Sequence, residues 1–224
     1  MNKNIFVACD VSSQKEILEL LTKIHDKISG IKIGLQYITK HSPRDIKELS
    51  KFKKPIFYDG KFFDIKNTLI ESIKSLKDLN ISYATVHLLN GLDALKAANE
   101  VANNINIKLL GVSVLTSFGN KDLDQLGFKD HVSDQVLRLI KIAYKANLYG
   151  VVCSPLEIKM IKKIAPDLKC FTPGIRQNEN KDEQKRTMDA KQALELGSDC
   201  LIIGRPIIKG DPKKNIQEIL TSLN

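Results

Sequence analysis

The feature that most constrains this chain is a rhythm. Short, apolar, β-branched runs alternate eight times with longer segments. The strand candidates are residues 5–9, 31–34, 55–61, 84–87, 108–115, 150–153, 169–172 and 200–204. Helical spacing of apolar residues predicts helices over 13–28, 66–79, 92–102, 133–146, 155–164, 189–196 and 212–223. The first carries Ile17, Leu20, Leu21 and Ile24 on one face, with Ser12 or Ser13 as its cap. Pro155 and Pro212 fall at first-turn positions, where a missing N–H costs nothing. Strands alternating with helices give parallel βα units, and strands apolar throughout need cover on both faces. The predicted fold class is therefore α/β, a (β/α)8 barrel in a single domain spanning residues 1–224. An open doubly wound sheet is the competing arrangement, but no GxGxxG follows the first strand.

Composition narrows the function classes. Of 224 residues, 42% are hydrophobic and 27% charged, the balance of a globular protein with a core of its own. No run approaches the ~20 apolar residues that span a bilayer, and the N-terminus lacks a signal-peptide pattern. The expectation is a cytoplasmic protein with no membrane partner. Cys9, Cys153, Cys170 and Cys200 form no CxxC pair or Cys/His cluster, so they read as buried thiols rather than zinc ligands. The net charge of +9 raises nucleic acid as a partner, but the lysines are scattered and no aromatic platform is interleaved with them. Arginine, suited to bidentate phosphate contacts, is scarce. Two of the five, Arg176 and Arg205, follow glycines in turns after strands seven and eight. His25 and His41 read as surface residues, while His87 ends strand four.

In a barrel, polar residues at the C-terminal ends of strands face the site. Here they are Asp10, Lys32, Asp59, Lys61, Asp64, His87, Thr116 and Gly204-Arg205. Asp59 and Lys61 are two apart on a strand and face the same way. Buried charges are costly unless they pair, so Lys32, Asp59, Lys61 and Asp64 are expected to form one alternating row. Lysines flanked by carboxylates are poor Schiff-base nucleophiles but well placed as proton donors. A structural salt-bridge network at the barrel rim is the plainer alternative. The turns Thr172–Arg176 and Ile203–Pro206 occupy the phosphate position of this architecture. The polar stretch 174–188 lies between strand seven and helix seven, where a long loop reads as an active-site lid.

These motifs resemble the orotidine 5′-monophosphate decarboxylase family, bacterial type. Asp59-Gly60-Lys61-Phe62-Phe63-Asp64 carries its DxKxxD signature. Val112–Ser117 is similar to its VTVLTS strand, and Gly150–Ser154 to its DGVVCS strand. Thr172–Arg176 and Ile203–Pro206 are similar to its two phosphate turns. The resemblance runs from Val7 to nearly the C-terminus, with several motifs in order.

The resemblance implies a lyase of pyrimidine (UMP) biosynthesis, with orotidine 5′-monophosphate as substrate, UMP as product, and neither cofactor nor metal. It implies that Lys61 protonates C6 of the pyrimidine, Asp59 lies beside the substrate carboxylate, and Lys32 bridges Asp59 and the ribose. Asp64 and Thr68 would act across a homodimer interface. Asp10 would bind ribose hydroxyls, and Thr116 or Ser117 the pyrimidine. Gln184 and Arg176 would belong to the lid, with Gly204 and Arg205 gripping phosphate. The chain departs from the family pattern at Gly60, where leucine is usual, at Lys66 in place of proline, and at Leu88–Gly91 in place of a small glycine-rich turn. Gly60 would add backbone freedom beside the catalytic pair. Related Mg²⁺-dependent sugar-phosphate decarboxylases, such as 3-keto-gulonate 6-phosphate decarboxylase, share DxKxxD but carry a metal-binding carboxylate in place of Lys32. A non-catalytic RNA-associated barrel is the rival from another class.

Overall fold

The structure, a computed structural model, describes residues 4–176 and 187–223. Eight parallel strands close into a barrel in sequence order: β1 (Ile5–Ala8), β2 (Gly30–Gly34), β3 (Ile56–Phe62), β4 (Ile81–His87), β5 (Lys108–Val112), β6 (Gly150–Val152), β7 (Lys169–Thr172) and β8 (Cys200–Ile203). β1 closes the ring against β8, pairing Phe6 with Ile202. The single-domain (β/α)8 expectation holds. Closure leaves no open sheet edge, and a parallel neighbour requires a crossover, which the helices supply.

Period-two alternation sorts each strand. Ile5, Val7, Ile31, Ile33, Val86 and Leu201 point outward into the layer beneath the helices. Phe6, Ala8, Phe57, Leu110, Phe171, Cys200 and Ile202 form a separate cluster inside the barrel. Helix Gln14–Ile24 shows how the outer layer is held. It buries Ile17, Leu20, Leu21 and Ile24, and Ser13 caps it by accepting from the Glu16 N–H, an arrangement worth about 1 kcal/mol. Helix Pro212–Ser222 starts on Pro212, with Asp211 accepting from the Lys213 and Lys214 N–H groups.

The barrel interior has two halves. Toward the strand N-termini, Phe6, Phe57, Tyr83 and Phe171 meet ring to ring, from 5.2 Å (Tyr83–Phe171) to 6.5 Å (Phe6–Phe57) between centroids. Most of these contacts are edge-on, the favourable arrangement of ring quadrupoles. This aromatic layer is a floor. Above it the interior opens.

The structure differs from the sequence reading at several points. β5 stops at Val112 rather than running to residue 115. Between β2 and β3 lie two unforeseen short helices, Leu35–Lys40 and Pro43–Glu48, and Asn120–Gln125 is a third. His41 is not a surface residue. Its side chain is 12% exposed, stacked 4.2 Å from the Tyr37 ring, with Nε2 2.9 Å from the Ser12 carbonyl. All four cysteines are buried and free.

Candidate active site

At the C-terminal ends of the strands lies a cavity of about 340 Å³. Its apolar walls include Ala8, Val112, Val114, Val152 and Ile202, and its charged rim is Asp10, Lys32, Asp59, Lys61, Arg176 and Arg205. Among the described residues the rim counts four cations against two carboxylates, an excess of two positive charges. That excess suits an anion such as a phosphate dianion.

Two strands and the end of a third bring the charges together. Asp10 follows β1, its backbone N–H donating to the Ala8 carbonyl at 2.9 Å. Lys32 points inward from β2 and is almost buried. Its Nζ donates to Asp10 Oδ1 at 2.9 Å and lies 3.5 Å from Asp59 Oδ2. Lys61 Nζ donates to the same Asp59 Oδ2 at 2.8 Å. The observed row is therefore Asp10–Lys32–Asp59–Lys61. Gly34 leaves room for it, since a Cβ there would stand 3.2 Å from Lys32 Nζ and 3.3 Å from Asp10 Oδ1.

Burial alone would raise the Asp59 pKa. The Lys32 and Lys61 charges, with hydrogen bonds from Lys61 and Thr85, outweigh burial and hold it below the usual carboxylate value. Burial would likewise lower Lys32, and the Asp59 and Asp10 charges reverse that. Burial, and then the Lys61 charge, push the His87 imidazole down. His87 stands outside the cavity wall, its ring 5.4 Å from Phe63 and its Nδ1 accepting from the Leu89 N–H at 3.3 Å. Next to the row, burial drives the Cys9 thiol up to about 12, so it is no nucleophile near neutrality.

One expected member of the row is elsewhere. Asp64 does not join Lys61; it is exposed and lines a different hollow with Ile65, Lys66 and Asn90. Its carboxylate accepts from the Ile65 N–H at 2.7 Å, and its own N–H donates to Asn90 Oδ1 at 3.2 Å. Asn90 Nδ2 also donates to the Phe62 and His87 carbonyls, so the Leu88–Asn90 turn binds the ends of β3 and β4 together. That fixes Asp64 pointing away from its own cavity. Thr68 is exposed on helix Lys66–Lys74 and also lies off the cavity. Lys66 is the first residue of that helix, the place where proline is at home.

Thr116 lines the cavity, while Ser117 is exposed and does not. Gly174, Arg176, Gly204 and Arg205 all line it. The Arg176 backbone N–H donates to the Met188 carbonyl at 2.9 Å, which ties the two ends of the expected lid. Gln184 lies outside the described residues.

Gly60 behaves differently from expectation. Its φ is not in the left-handed region; Lys61 next to it has φ 47°. What needs the glycine is space: a Cβ at position 60 would stand 2.7 Å from Tyr58 Cε1. The Tyr58 ring leans across Gly60 to stack on Phe62, 5.7 Å and 5° apart. The sequence reading also missed Thr85, fully buried between Asp59 and Lys61. Its inward position between Tyr83 and His87 on β4 was the available signal.

Fold and cavity together define a barrel enzyme with alternating charges held over an apolar wall, beside two turns that bring Arg176 and Arg205 to the same cavity. The profile of the "Orotidine 5'-phosphate decarboxylase / HUMPS family" matches residues 3–219. A protein of Wolbachia pipientis subsp. Culex pipiens named orotidine 5′-phosphate decarboxylase is 39% identical over 98% of this chain and 98% of its own. One of the same name from Carboxydothermus hydrogenoformans is 36% identical over 96% of this chain and 92% of its own. The crystal structure of orotidine 5′-phosphate decarboxylase from Lactobacillus acidophilus superposes with a TM-score of 0.87 at 31% identity, covering 100% of both chains. The Methanocaldococcus jannaschii enzyme complexed with inhibitor BMP shares the fold, with a TM-score of 0.82 at 24% identity over 99% of each chain. This chain belongs to the orotidine 5′-phosphate decarboxylase / HUMPS family. It is an enzyme of the carboxy-lyase kind.

Proposed function

We propose that this chain converts orotidine 5′-monophosphate to UMP and CO2 in pyrimidine biosynthesis in the cytoplasm, without metal or cofactor. The observation that carries this is the Asp10–Lys32–Asp59–Lys61 row, with both lysines within 3.5 Å of one Asp59 oxygen. The C6–carboxyl bond breaks with its electron pair left on C6. The Lys61 ammonium stabilises that charge, delivers a proton to C6, and recovers one from water. Charges fixed in advance in a secluded cavity need no reorganisation as the reaction proceeds. Asp59 faces the departing carboxylate, Asp10 and Lys32 take the ribose hydroxyls, and Thr116 or Ser117 takes the pyrimidine, Thr116 being the one of the two that lines the cavity. Arg176, Gly204 and Arg205 grip the phosphate, and Gln184 joins them from the lid. Remote phosphate binding then contributes to assembling the site.

In this proposal Asp64 and Thr68 serve the neighbouring subunit's cavity in a homodimer. The support is that Asp64 is turned outward between exposed Phe63 and Ile65, and exposed apolar groups around a fixed carboxylate suit an interface.

The competing reading is a Mg²⁺-dependent sugar-phosphate decarboxylase. Against it stands the Lys32 ammonium, which occupies the space between Asp10 and Asp59 where a cation would need free carboxylate oxygens. The test is EDTA-treated protein mixed with orotidine 5′-monophosphate, following the loss of ultraviolet absorbance and identifying UMP. Turnover without metal is expected. Turnover that needs added Mg²⁺, or UMP absent from the products, overturns the proposal.

A further inference from the structure

The β3–β4 ladder contains an irregularity at the reacting pair. Tyr58 pairs with Ala84, and the next register position pairs Phe62 with Val86. Asp59, Gly60 and Lys61 on one strand therefore face Thr85 alone on the other. Such a bulge breaks the backbone ladder and re-aims side chains. It also leaves the Lys61 N–H without a strand carbonyl, and Lys61 sits at φ 47°, a conformation a lysine rarely holds unless its surroundings impose it.

The Thr85 hydroxyl fills that gap. Thr85 is fully buried. Its Oγ1 accepts from the Lys61 N–H at 2.8 Å and stands 3.0 Å from Asp59 Oδ1. A hydroxyl has one proton. The amide cannot take it, so it goes to the carboxylate, and both bond directions are fixed. With Oδ1 held by Thr85, the other Asp59 oxygen is turned to both ammonium groups: Oδ2 lies 2.8 Å from Lys61 Nζ and 3.5 Å from Lys32 Nζ. One buried hydroxyl thus sets the backbone of the lysine and the rotation of the carboxylate together.

We propose that Thr85 is a positioning residue for the Asp59–Lys61 pair, acting through these two hydrogen bonds rather than by touching substrate. The role it is given in turnover rests on the decarboxylation proposed above.

Thr85→Val keeps shape and removes both bonds, and Thr85→Ser keeps both. For the valine variant, kcat on orotidine 5′-monophosphate should fall on the order of 100-fold, the scale of a small misplacement of reacting groups. UMP affinity should stay within about threefold, because phosphate and ribose contacts are untouched. The serine variant should recover to within about fivefold of wild type. General loosening would weaken UMP binding as well and would not be rescued by serine. A second readout is independent of activity, and its wild-type measurement needs no variant: amide hydrogen exchange at Lys61 by NMR. That amide should be protected in wild type and in Thr85→Ser, and should exchange at least about tenfold faster in Thr85→Val.

A wild-type Lys61 amide exchanging like an open loop overturns the proposal. So does a folded valine variant with kcat within about twofold of wild type, or a serine variant as slow as valine. If wild type itself does not decarboxylate this substrate, the functional proposal fails instead, and the exchange measurement still decides whether Thr85 holds Lys61.

Discussion

Lys32→Met probes the electrostatics of the row most directly. Methionine is unbranched and pliant, so it fills much of the same space without the charge. In wild type, Lys32 Nζ lies 2.9 Å from Asp10 and 3.5 Å from Asp59. The Asp10 side chain is 51% exposed, so water screens that pair and its share is small. The Asp59 side chain is only 12% exposed, and its loss of Lys32 dominates. Removing one partner of a buried pair costs about 3–5 kcal/mol. Asp59 keeps Lys61 at 2.8 Å and Thr85 at 3.0 Å, which places the expected cost near the lower end, about 3 kcal/mol. The pH dependence has a definite sign. Asp59 titrates below its ordinary value in the folded protein, so it contributes stability above the unfolded value of about 3.9 and loses it as pH falls through the folded value. Without Lys32, Asp59 takes up its proton at higher pH. The stability gap between wild type and variant is then widest near neutrality and narrows as the variant's Asp59 protonates. The Lys32 pKa is raised, so its contribution is fully present below the unfolded value of about 10.4 and does not disturb this window. Urea unfolding at about pH 7.5 and about pH 4.5 should give a gap of about 3 kcal/mol that shrinks by about 1 kcal/mol or more. A gap equal at both pH values, or below about 0.5 kcal/mol at both, would refute this account.

Lys61→Ala should abolish turnover while UMP binding stays measurable by calorimetry; near-wild-type activity would remove Lys61 as the proton donor. Arg205→Ala loses charge-assisted bonds worth about 1.5–3 kcal/mol, so UMP affinity should drop about 10-fold to 150-fold, and unchanged affinity in the same titration would take Arg205 out of the phosphate grip. Subunits carrying Lys61→Ala and subunits carrying Asp64→Asn, each inactive alone, should regain about one quarter of wild-type activity when unfolded and refolded together, because random pairing in a two-fold dimer gives half heterodimers with one intact site each; no recovery contradicts sharing of Asp64. Gly60→Ala should destabilise by about 1–2 kcal/mol through displacement of the Tyr58–Phe62 stack. In a Tyr58→Ala background that cost should vanish, and a double-mutant cycle additive within about 0.5 kcal/mol would discount the stack.

The barrel was legible because each strand advertises itself twice, by β-branched residues and by a polar residue where the strand leaves the core. Lys32, Asp59 and Asp10 were legible for the second reason. What was hidden is direction after a strand ends. Residues 59, 61 and 64 are close together in sequence, but the backbone turns over between Phe62 and Lys66, and Asp64 goes to the helix start instead of the cavity. Helices Leu35–Lys40 and Pro43–Glu48 have six residues each, too few to display a 3.6-residue period. The pairing of three β3 residues with one on β4 leaves no mark in composition, so the place of Thr85 appears only when the strands are laid side by side. The glycine at position 60 suggested a loosened backbone, because sequence shows a missing side chain but not the neighbouring ring that takes its space.

The aromatic floor also governs traffic. Below it, at the opposite end of the barrel, a hollow of about 240 Å³ is lined by Phe6, Tyr83, Phe171 and Cys200, while Ala8, Val152 and Ile202 in the next layer up face the charged cavity. No residue lines both spaces, and the packed rings lie in the layers between them, so among the described residues the barrel is a cul-de-sac rather than a tunnel. Whatever enters must leave past the same rim, and a small fragment cut from a bound molecule has no rear exit while the larger piece remains. The rim of that single doorway includes Arg176, whose backbone N–H is tied to the Met188 carbonyl, so the loss of a fragment and the release of the larger piece share one route.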